Sequence, residues 1–418
     1  MAVKKVEGNK LGDRAFLKVN NIEVYRWRDM YPYKQVKILF NNHSFIKKWG
    51  TFRISIPTAM NRLKLLNCNE DKAKLTFESQ WFPFNGYELN KFKEMIVLNQ
   101  VDNSDYDEYW VHFKYSIYKK VIFSSFVKDE ENQEIEFLIK KIREVNDSPY
   151  DPVGYESTED FGLFLYTICS ACSSKDKLSL DIEDQIDAEY YPGITSVVDT
   201  NTQWYTEYED YPIENYQTLV LTEGKSDSEI LRKTLNKNFK DYSDLISFEQ
   251  FGQFNPAGGA SYLEKYVQFL GNLTKFLMSA GIKEKVITLF DNDYEGIKQI
   301  NKIKTHPNNF VIDHYPDRPF AKHYQVKKNG KILQTNINGR GLFFELYIAE
   351  NICSKQMPEL ICKQSNGFET YSLKNTKDKD ALKRRYTKLL SGGQIPKNKV
   401  GVNAIIWYIL KKSMNCKY

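Results

Sequence analysis

Carboxylates follow two short apolar runs in the second half of the chain. Glu223 ends the run TLVLTE, and Asp227 lies four residues further on. Asp291 and Asp293 form an Asp-Asn-Asp sequence after the run KVITLF. Carboxylates gathered at one place repel one another unless a hard cation such as Mg²⁺ lies among them. Two such ions about 4 Å apart would hold the attacking and leaving oxygens of an in-line phosphoryl displacement. For either motif alone, helix capping or turn formation is an equally good explanation.

The Gly-Lys-Ser sequence that follows Glu223 is also how a nucleotide-binding P-loop ends. A P-loop requires a glycine five residues before the Gly-Lys pair, because backbone N–H groups of a glycine-rich loop surround the phosphates. That position is Leu219, in the middle of the apolar run. The sequence therefore excludes a P-loop and leaves Glu223 as the functional group.

The elements that must position these acids alternate between strand and helix patterns from Thr218 onward. Strands are predicted at TLVLTE, LISFEQF, KVITLFDND and NNFVIDHYPD, and helices at SDSEILRKTL, SYLEKYVQFLGNLTKFLMSAGI and EGIKQINKIK. Alternation with apolar strands is typical of a parallel sheet covered on both faces. Right-handed crossovers place the carboxyl ends of such strands along one edge. Glu223 and Asp291 then converge if their strands are neighbours. After Gly341 the pattern predicts helix.

The first half of the chain shows a different pattern, with short strands such as YDEYWVHFKYSIY and VIFSSFV. Ser55 is placed as the N-cap of a helix that has Pro57 in its first turn. A second helix is predicted to begin at Ser157 and Asp160, which are spaced as the capping box of its first turn. The acidic, aromatic segment WYTEYEDYPIEN is predicted to connect two domains.

Composition indicates a globular protein: 41% of the 418 residues are hydrophobic, 27% are charged, and the net charge of +5 permits a polyanionic partner. The chain begins without an apolar signal region and contains no apolar run long enough for a bilayer, which predicts a cytoplasmic protein with no membrane association. Cys169 and Cys172 form a lone CxxC without a second pair at zinc-ligand spacing. We expect both to be buried in an apolar helix.

The motifs EGKSD and LFDNDYEG together resemble the TOPRIM domain of topoisomerases, bacterial primases, ribosomal-RNA-maturing ribonucleases and overcoming-lysogenization-type nucleases. Glu223, Asp291 and Asp293 match the acids of the TOPRIM pattern. Asp227 matches an acid that often follows the glutamate, and Gly296 matches the glycine that opens the next helix. The resemblance implies that Glu223, Asp291 and Asp293 are catalytic and that these three, with Asp227, bind the metal.

Further segments, PAGGASYLEKYVQFL, TNINGRGLFFELYIAENI and KLSLDIEDQIDAEYYPG, are similar to proteins with HEPN/TOPRIM-associated domains. The implied fold class is α/β, with a mixed α+β N-terminal domain over residues 1–205, a TOPRIM domain with a Rossmann-like parallel sheet over 212–350, and a basic, mainly helical region over 351–418. The implied activity is that of a Mg²⁺-dependent nuclease, with Mn²⁺ as a substitute. In nuclease members of the family a further acid helps to bind a second metal ion, and Glu345 is the candidate for that acid. The alternative is that Glu345 is a surface acid on an amphipathic helix.

The resemblance also implies a prokaryotic effector of antiphage defence or a toxin. The expected partners are the nucleic acid substrate and a regulatory protein or a further copy of the chain, and the sequence does not identify what keeps the enzyme silent. DNA and RNA both remain open as substrates, with structured RNA such as tRNA among the candidates. Basic residues are expected to contact phosphates. These candidates for substrate binding are Lys225, Lys383, Arg384, Arg385, Lys388, Lys397 and Lys399. A lysine near the metals could stabilise the leaving oxygen, and the sequence does not identify which one.

Two other functions stay open. The first is a non-catalytic TOPRIM subunit that binds nucleic acid or protein, which the presence of all the core acids disfavours. The second is a metal-independent HEPN-type ribonuclease that uses Arg318 and His323, which have the spacing of the Arg-x4-6-His motif. Chelation of metal separates the two enzymes, because EDTA would abolish only the metal-dependent activity.

Overall fold

The chain divides into two compact units, residues 1–211 and 212–418. The computed structural model describes residues 14–20, 22–28, 39–41, 45–46, 51–78, 82–91, 96–103, 108–116, 119, 158–181, 218–249, 259–279, 285–353, 357–365, 368–375 and 377–415. No helix in these ranges is long and apolar enough to cross a membrane.

The first unit contains two antiparallel sheets among its described residues. The strands are β1 (Arg14–Val19), β2 (Ile22–Arg28), β3 (Phe45–Ile46), β4 (Thr51–Ser55), β5 (Phe82–Asn85), β6 (Ile96–Asn103), β7 (Glu108–Phe113) and β8 (Lys177–Asp181). One sheet has the order β2-β1-β8-β4-β3 and the other β5-β7-β6. The helices are α1 (Ile56–Leu65), α2 (Glu70–Glu78), α3 (Gly86–Lys91) and α4 (Thr158–Ala171).

Local sequence signals place two of these helices correctly. Ser55 is the N-cap of α1, and its Oγ accepts a hydrogen bond from the N–H of Thr58 at 3.3 Å. Cys169 is buried in α4, as expected, and burial raises the pKa of its thiol. Cys172 lies just past the end of α4 and is only partly buried, so its expected position inside the helix is wrong. The predicted strand VIFSSFV, Ser157 and the connecting segment WYTEYEDYPIEN lie outside the described residues.

The second unit is built on a parallel four-stranded sheet. Its strands are β9 (Thr218–Thr222), β10 (Ile246–Phe248), β11 (Lys285–Phe290) and β13 (Phe310–His314), in the order β10-β9-β11-β13. The intervening helices are α5 (Lys225–Asn238), α6 (Ala260–Ser279) and α7 (Tyr294–Ile300). Leu221 and Phe290 of the sheet pack with Leu263 and Val267 of α6. The α/β class and all four predicted strands of this sheet are confirmed.

Two smaller sheets and three helices complete the described part of this unit. The remaining strands are β12 (Asn292–Asp293), β14 (Tyr324–Lys328), β15 (Lys331–Thr335), β16 (Gly341–Leu342), β17 (Leu360–Ser365) and β18 (Phe368–Leu373), and the helices are α8 (Phe344–Ile352), α9 (Lys377–Ser391) and α10 (Val402–Asn415). Strand β12 pairs with β16, and the other four form a sheet of order β15-β14-β17-β18. Strands β14 and β15 form a hairpin, with Asn329 and Gly330 at φ 50° and 80° in its turn.

The expectation that the chain is helical after Gly341 is wrong between Leu360 and Leu373, where β17 pairs with β18. The two strand sequences, LICKQS and FETYSL, flank an Asn-Gly pair at 366–367. Asn-Gly between two such runs is the strongest short-range signal for a hairpin. The overlooked signal was therefore present in the sequence.

The two C-terminal helices pack against α5 of the parallel sheet unit. Tyr386 of α9 is fully buried, and its hydroxyl lies 3.0 Å from the hydroxyl of Thr234. On α10, Asn403 accepts a hydrogen bond from Asn238 at 3.0 Å, and Trp407 packs edge-on against Phe239. These contacts fix α9, from which Lys383 extends, relative to the strand ends.

Candidate active site

The two acid motifs meet because their strands are neighbours. Strands β9 and β11 pair in parallel, with Thr222 opposite Leu289, so the residues that follow both strands emerge at the same edge. Glu223 Oε1 accepts a hydrogen bond from the backbone N–H of Asp291 at 2.9 Å. The predicted convergence of Glu223 and Asp291 is confirmed.

Asp291 is oriented by the start of helix α8. Its Oδ1 accepts a hydrogen bond from the N–H of Phe344, the first residue of that helix, at 2.9 Å. A helix N-terminus favours a negative charge, because its first N–H groups have no partner inside the helix. Asn292, between the two aspartates, is buried, donates to Asp317 and accepts from Gly339. Those two bonds fix the backbone between the aspartates.

Asp293 caps the next helix while it remains at the site. Its Oδ1 accepts a hydrogen bond from the N–H of Gly296 at 2.8 Å, as the N-cap of α7. The capping explanation therefore applies to Asp293, whose backbone is also paired with Gly341 through β12 and β16. A Cβ on Gly296 would lie 2.2 Å from the carbonyl oxygen of Asp291, so the close approach of α7 to this segment requires glycine.

Asp227 and Glu345 form a second part of the cluster, joined by a lysine. Lys383 Nζ lies 2.8 Å from Asp227 Oδ1 and 3.1 Å from Glu345 Oε1. The same ammonium donates to Ser226 Oγ at 2.8 Å. Lys379, one turn earlier on α9, lies 3.5 Å from the other oxygen of Glu345. Glu345 is buried, so it is not the surface acid that the alternative described.

In the described part of the chain, the cluster contains five carboxyl groups and only two ammonium groups, those of Lys379 and Lys383. Burial raises the pKa of Glu223 to about 7, aided by the charges of Asp293 and Asp227 and opposed by the hydrogen bond from Asp291. Burial also raises the pKa of Asp291 well above its usual range, with the Glu223 charge adding to the shift. The pKa values of Asp227 and Asp293 are raised mainly by burial as well. Because burial makes ionisation of these carboxyl groups unfavourable, a nearby cation would stabilise their ionised form.

The donor set fits a hard divalent cation, although no ligand cage is preformed. Among the described residues, no group of three His, Cys, Asp or Glu side chains has the geometry to hold a metal ion. The carboxylate oxygens accept hydrogen bonds from protein N–H groups or pair with Lys383 instead. Carboxylate oxygens are the ligands that Mg²⁺ prefers.

The hydroxyl of Tyr315, the residue that follows β13, has no hydrogen-bond partner among the described residues. Tyr315 is 1% exposed. Burial raises the pKa of its hydroxyl, and the charges of Asp227, Asp291 and Glu223 raise that pKa further. A buried hydroxyl without a partner is costly unless water or an ion completes it.

The other substrate-binding candidates form no ion pair with the acids of this cluster among the described residues. Lys225 is exposed at the start of α5, and Arg384, Arg385 and Lys388 are exposed on α9. The ammonium groups of Lys397 and Lys399 stack on the rings of Phe239 and Trp407, 5.3 Å and 5.5 Å from their centroids. Phe239 follows the far end of α5, about 18 Å from Asp227 at the rise of an α-helix. Of the predicted basic residues, Lys383 alone contacts the acids in the described structure.

Arg318 and His323 are not brought together as a pair of catalytic groups. The guanidinium of Arg318 makes two 2.8 Å hydrogen bonds to Glu350, which also accepts from the N–H of Gly401. His323 is exposed at the end of a short 3₁₀ turn, Pro319–His323. The ion pair with Glu350 therefore gives Arg318 a structural role.

Sequence reasoning did not identify Lys379, Tyr315 or the N–H of Phe344 as parts of the site. For Lys379 a signal existed, since it lies four residues before Lys383 and thus on the same helix face. Tyr315 follows the fourth strand, β13, whose carboxyl end lies at the same sheet edge. The N–H of Phe344 carries no signature of its own in the sequence.

Comparisons of the chain with protein-family models, with curated proteins and with solved structures gave no match. The TOPRIM resemblance therefore rests on the motif residues alone.

Proposed function

We propose that the second unit is a TOPRIM-type domain and that the protein is a Mg²⁺-dependent nuclease that hydrolyses phosphodiester bonds in nucleic acid. The observation that supports this proposal is the pairing of Glu223 with Asp291 across two neighbouring parallel strands. Their pKa values are raised by burial, so both acids would gain from a bound cation.

Glu223, Asp291 and Asp293 are the residues that would hold Mg²⁺, because each keeps part of its surface open to solvent. When bound there, Mg²⁺ supplies a positioned, activated water and neutralises charge on the phosphate. The protein orients the ligands: Phe344 N–H fixes Asp291, and the α7 cap fixes Asp293. Lys379, with a side chain 44% exposed, is placed to attract a phosphate at the edge of the cluster.

Nucleic acid is the proposed substrate because exposed cations lie on α9. Arg384, Arg385 and Lys388 are exposed on α9, the same helix that extends Lys383 into the cluster. Phosphate contacts of this kind bind nucleic acid without sequence preference. DNA and RNA, including tRNA, are both candidates, and a cytoplasmic role in antiphage defence or as a toxin is part of the proposal. A partner protein or self-association would keep such an enzyme silent.

A binding subunit without catalysis is the alternative, and a substrate panel tests both. Purified protein is incubated with labelled plasmid, single-stranded DNA, total RNA and tRNA in Mg²⁺, Mn²⁺ or EDTA. The proposal predicts cutting of at least one substrate with either metal and none in EDTA. Cutting that persists in EDTA would contradict it and would make Arg318→Ala and His323→Ala the next variants. Tight binding without cutting in any metal would favour the binding subunit.

A further inference from the structure

Solvent exposure divides the acid cluster into an open part and a closed part. Glu223, Asp291 and Asp293 are each partly exposed. The side chains of Asp227 and Glu345 are only 10% and 6% exposed, and Lys383 lies between them with 18% of its side chain exposed. A cation that arrives from solvent therefore meets the open part first.

The ammonium of Lys383 is fully satisfied where it lies. An ammonium has three N–H donors and no acceptor. Lys383 Nζ has three acceptors within reach, on Ser226, Asp227 and Glu345, at 2.8, 2.8 and 3.1 Å. It therefore lies between the carboxylates of Asp227 and Glu345.

The helix that extends Lys383 is held in place on both sides of it. Three residues later, Tyr386 is fully buried and its hydroxyl meets that of Thr234 on α5. One turn earlier, Lys379 pairs with Glu345 and lies over the ring of Phe343, 4.8 Å from its centroid. Withdrawal of Lys383 would leave Asp227 without its ion pair and Glu345 with only the longer contact to Lys379, which is unfavourable for buried carboxylates.

We propose that Lys383 serves as the second cation of the site, so that the protein binds one divalent cation, at Glu223, Asp291 and Asp293, rather than two. This inference rests on the proposed function and specifies its metal content. Asp227 and Glu345 are then ligands of the lysine ammonium.

Counting bound Mn²⁺ on the full chain tests this assignment. Calorimetry and electron paramagnetic resonance are carried out on the wild type, on Lys383→Met and on Lys377→Met. Lys377 is the matched control, because it is exposed on the same helix and belongs neither to the acid cluster nor to the substrate-binding residues. We expect one Mn²⁺ per chain for the wild type and the control. We expect two for Lys383→Met, with the spin coupling of ions about 4 Å apart.

The number of Mn²⁺ ions bound per chain distinguishes a failure of this inference from a failure of the proposed function. Two ions in the wild type would overturn the role of Lys383 and leave the nuclease proposal intact. No ion in the wild type would overturn the metal-dependent function itself. One ion in a folded Lys383→Met would overturn the inference, because Asp227 and Glu345 would then not accept a cation once the lysine is absent.

A second variant keeps the test decisive if Lys383→Met does not fold. Glu345→Gln retains a buried oxygen for Lys383 and removes one carboxylate. If Glu345 binds the lysine and not the metal, the variant still binds one Mn²⁺, with a Kd within about twofold of the wild type. A loss of affinity of tenfold or more would show that Glu345 is a metal ligand and would overturn the inference.

Discussion

The carboxylate of Glu223 joins two strand ends and has a raised pKa. One of its oxygens accepts the Asp291 N–H, which joins the ends of two strands. Its charge, however, is opposed by burial and by neighbouring acids, so its pKa rises to about 7 from an ordinary value of 4.5. The folded protein without metal therefore holds a proton at Glu223 more tightly than the unfolded chain does.

This shift predicts a pH dependence of stability in EDTA. Because the folded state binds the proton more tightly, the free energy of unfolding falls as pH rises from about 4.5 to about 7. The raised pKa of Asp291 acts in the same direction. Urea unfolding at several pH values measures the slope, and Glu223→Gln should remove on the order of 3 kcal/mol of it. A wild-type stability that is flat or rises over this window would contradict the shift.

Gly296 is predicted to be intolerant of even one added methyl group. In Gly296→Ala the Cβ would lie 2.2 Å from the carbonyl oxygen of Asp291, so α7 or the Asp291 segment must move. We expect a loss of about 1–3 kcal/mol in urea unfolding. Gly392→Ala is the control, because its nearest neighbour would lie at an ordinary 3.5 Å. Equal stability of the two variants would contradict the close packing at Gly296.

At the scale of elements, strand order decides which acids meet. The alternation of strands and helices was sufficient to predict a parallel sheet and the edge at which Glu223 and Asp291 lie. The adjacency of β9 and β11 was only a condition of that prediction, since local patterns do not specify strand order. Lys383 was predicted as a basic residue but not as the partner of Asp227, because the two are separated by 156 residues. Such pairing depends on how α9 packs, which no local signal encodes.

Helix α9 is predicted to bind nucleic acid through its exposed face. In Arg384→Gln/Arg385→Gln two cations are lost from exposed positions. If both contact phosphates, affinity falls for all sequences, and the slope of log affinity against log salt decreases by up to about two. Fluorescence anisotropy with labelled tRNA or DNA, at several salt concentrations, measures the affinity and its salt dependence. A double variant with the same charge change, Lys237→Gln/Lys265→Gln, should have no effect, and equal losses in both variants would contradict a specific role for α9.

At the scale of the whole molecule, the candidate site lies within one of the two compact units of the chain. Every residue of the acid cluster and Lys383 belong to residues 212–418. Helices α9 and α10, which the sequence analysis set apart as a terminal region, pack on α5 of the same unit. Their packing residues, including Tyr386 and Ile405, are fully buried.

Residues 212–418 expressed alone are therefore predicted to fold and to bind Mn²⁺ as the full chain does. Residues 212–376 should not fold, because removal of α9 and α10 exposes the apolar surface that they cover. Circular dichroism melts and Mn²⁺ titration test both fragments. A cooperative melt of the shorter fragment would contradict the dependence of this unit on its last two helices.

The central claim is that Glu223 and Asp291 form a metal-dependent nuclease site, and the most direct measurement is the cleavage rate of Glu223→Gln and Asp291→Asn. Each amide keeps the oxygen that accepts the observed hydrogen bond, so both variants should remain folded. Glu229→Gln, on the outer face of α5, is the matched control. The account predicts that Mg²⁺-dependent cutting falls by at least about a hundredfold in both site variants and is unchanged in the control. Wild-type rates in the two folded site variants would contradict it.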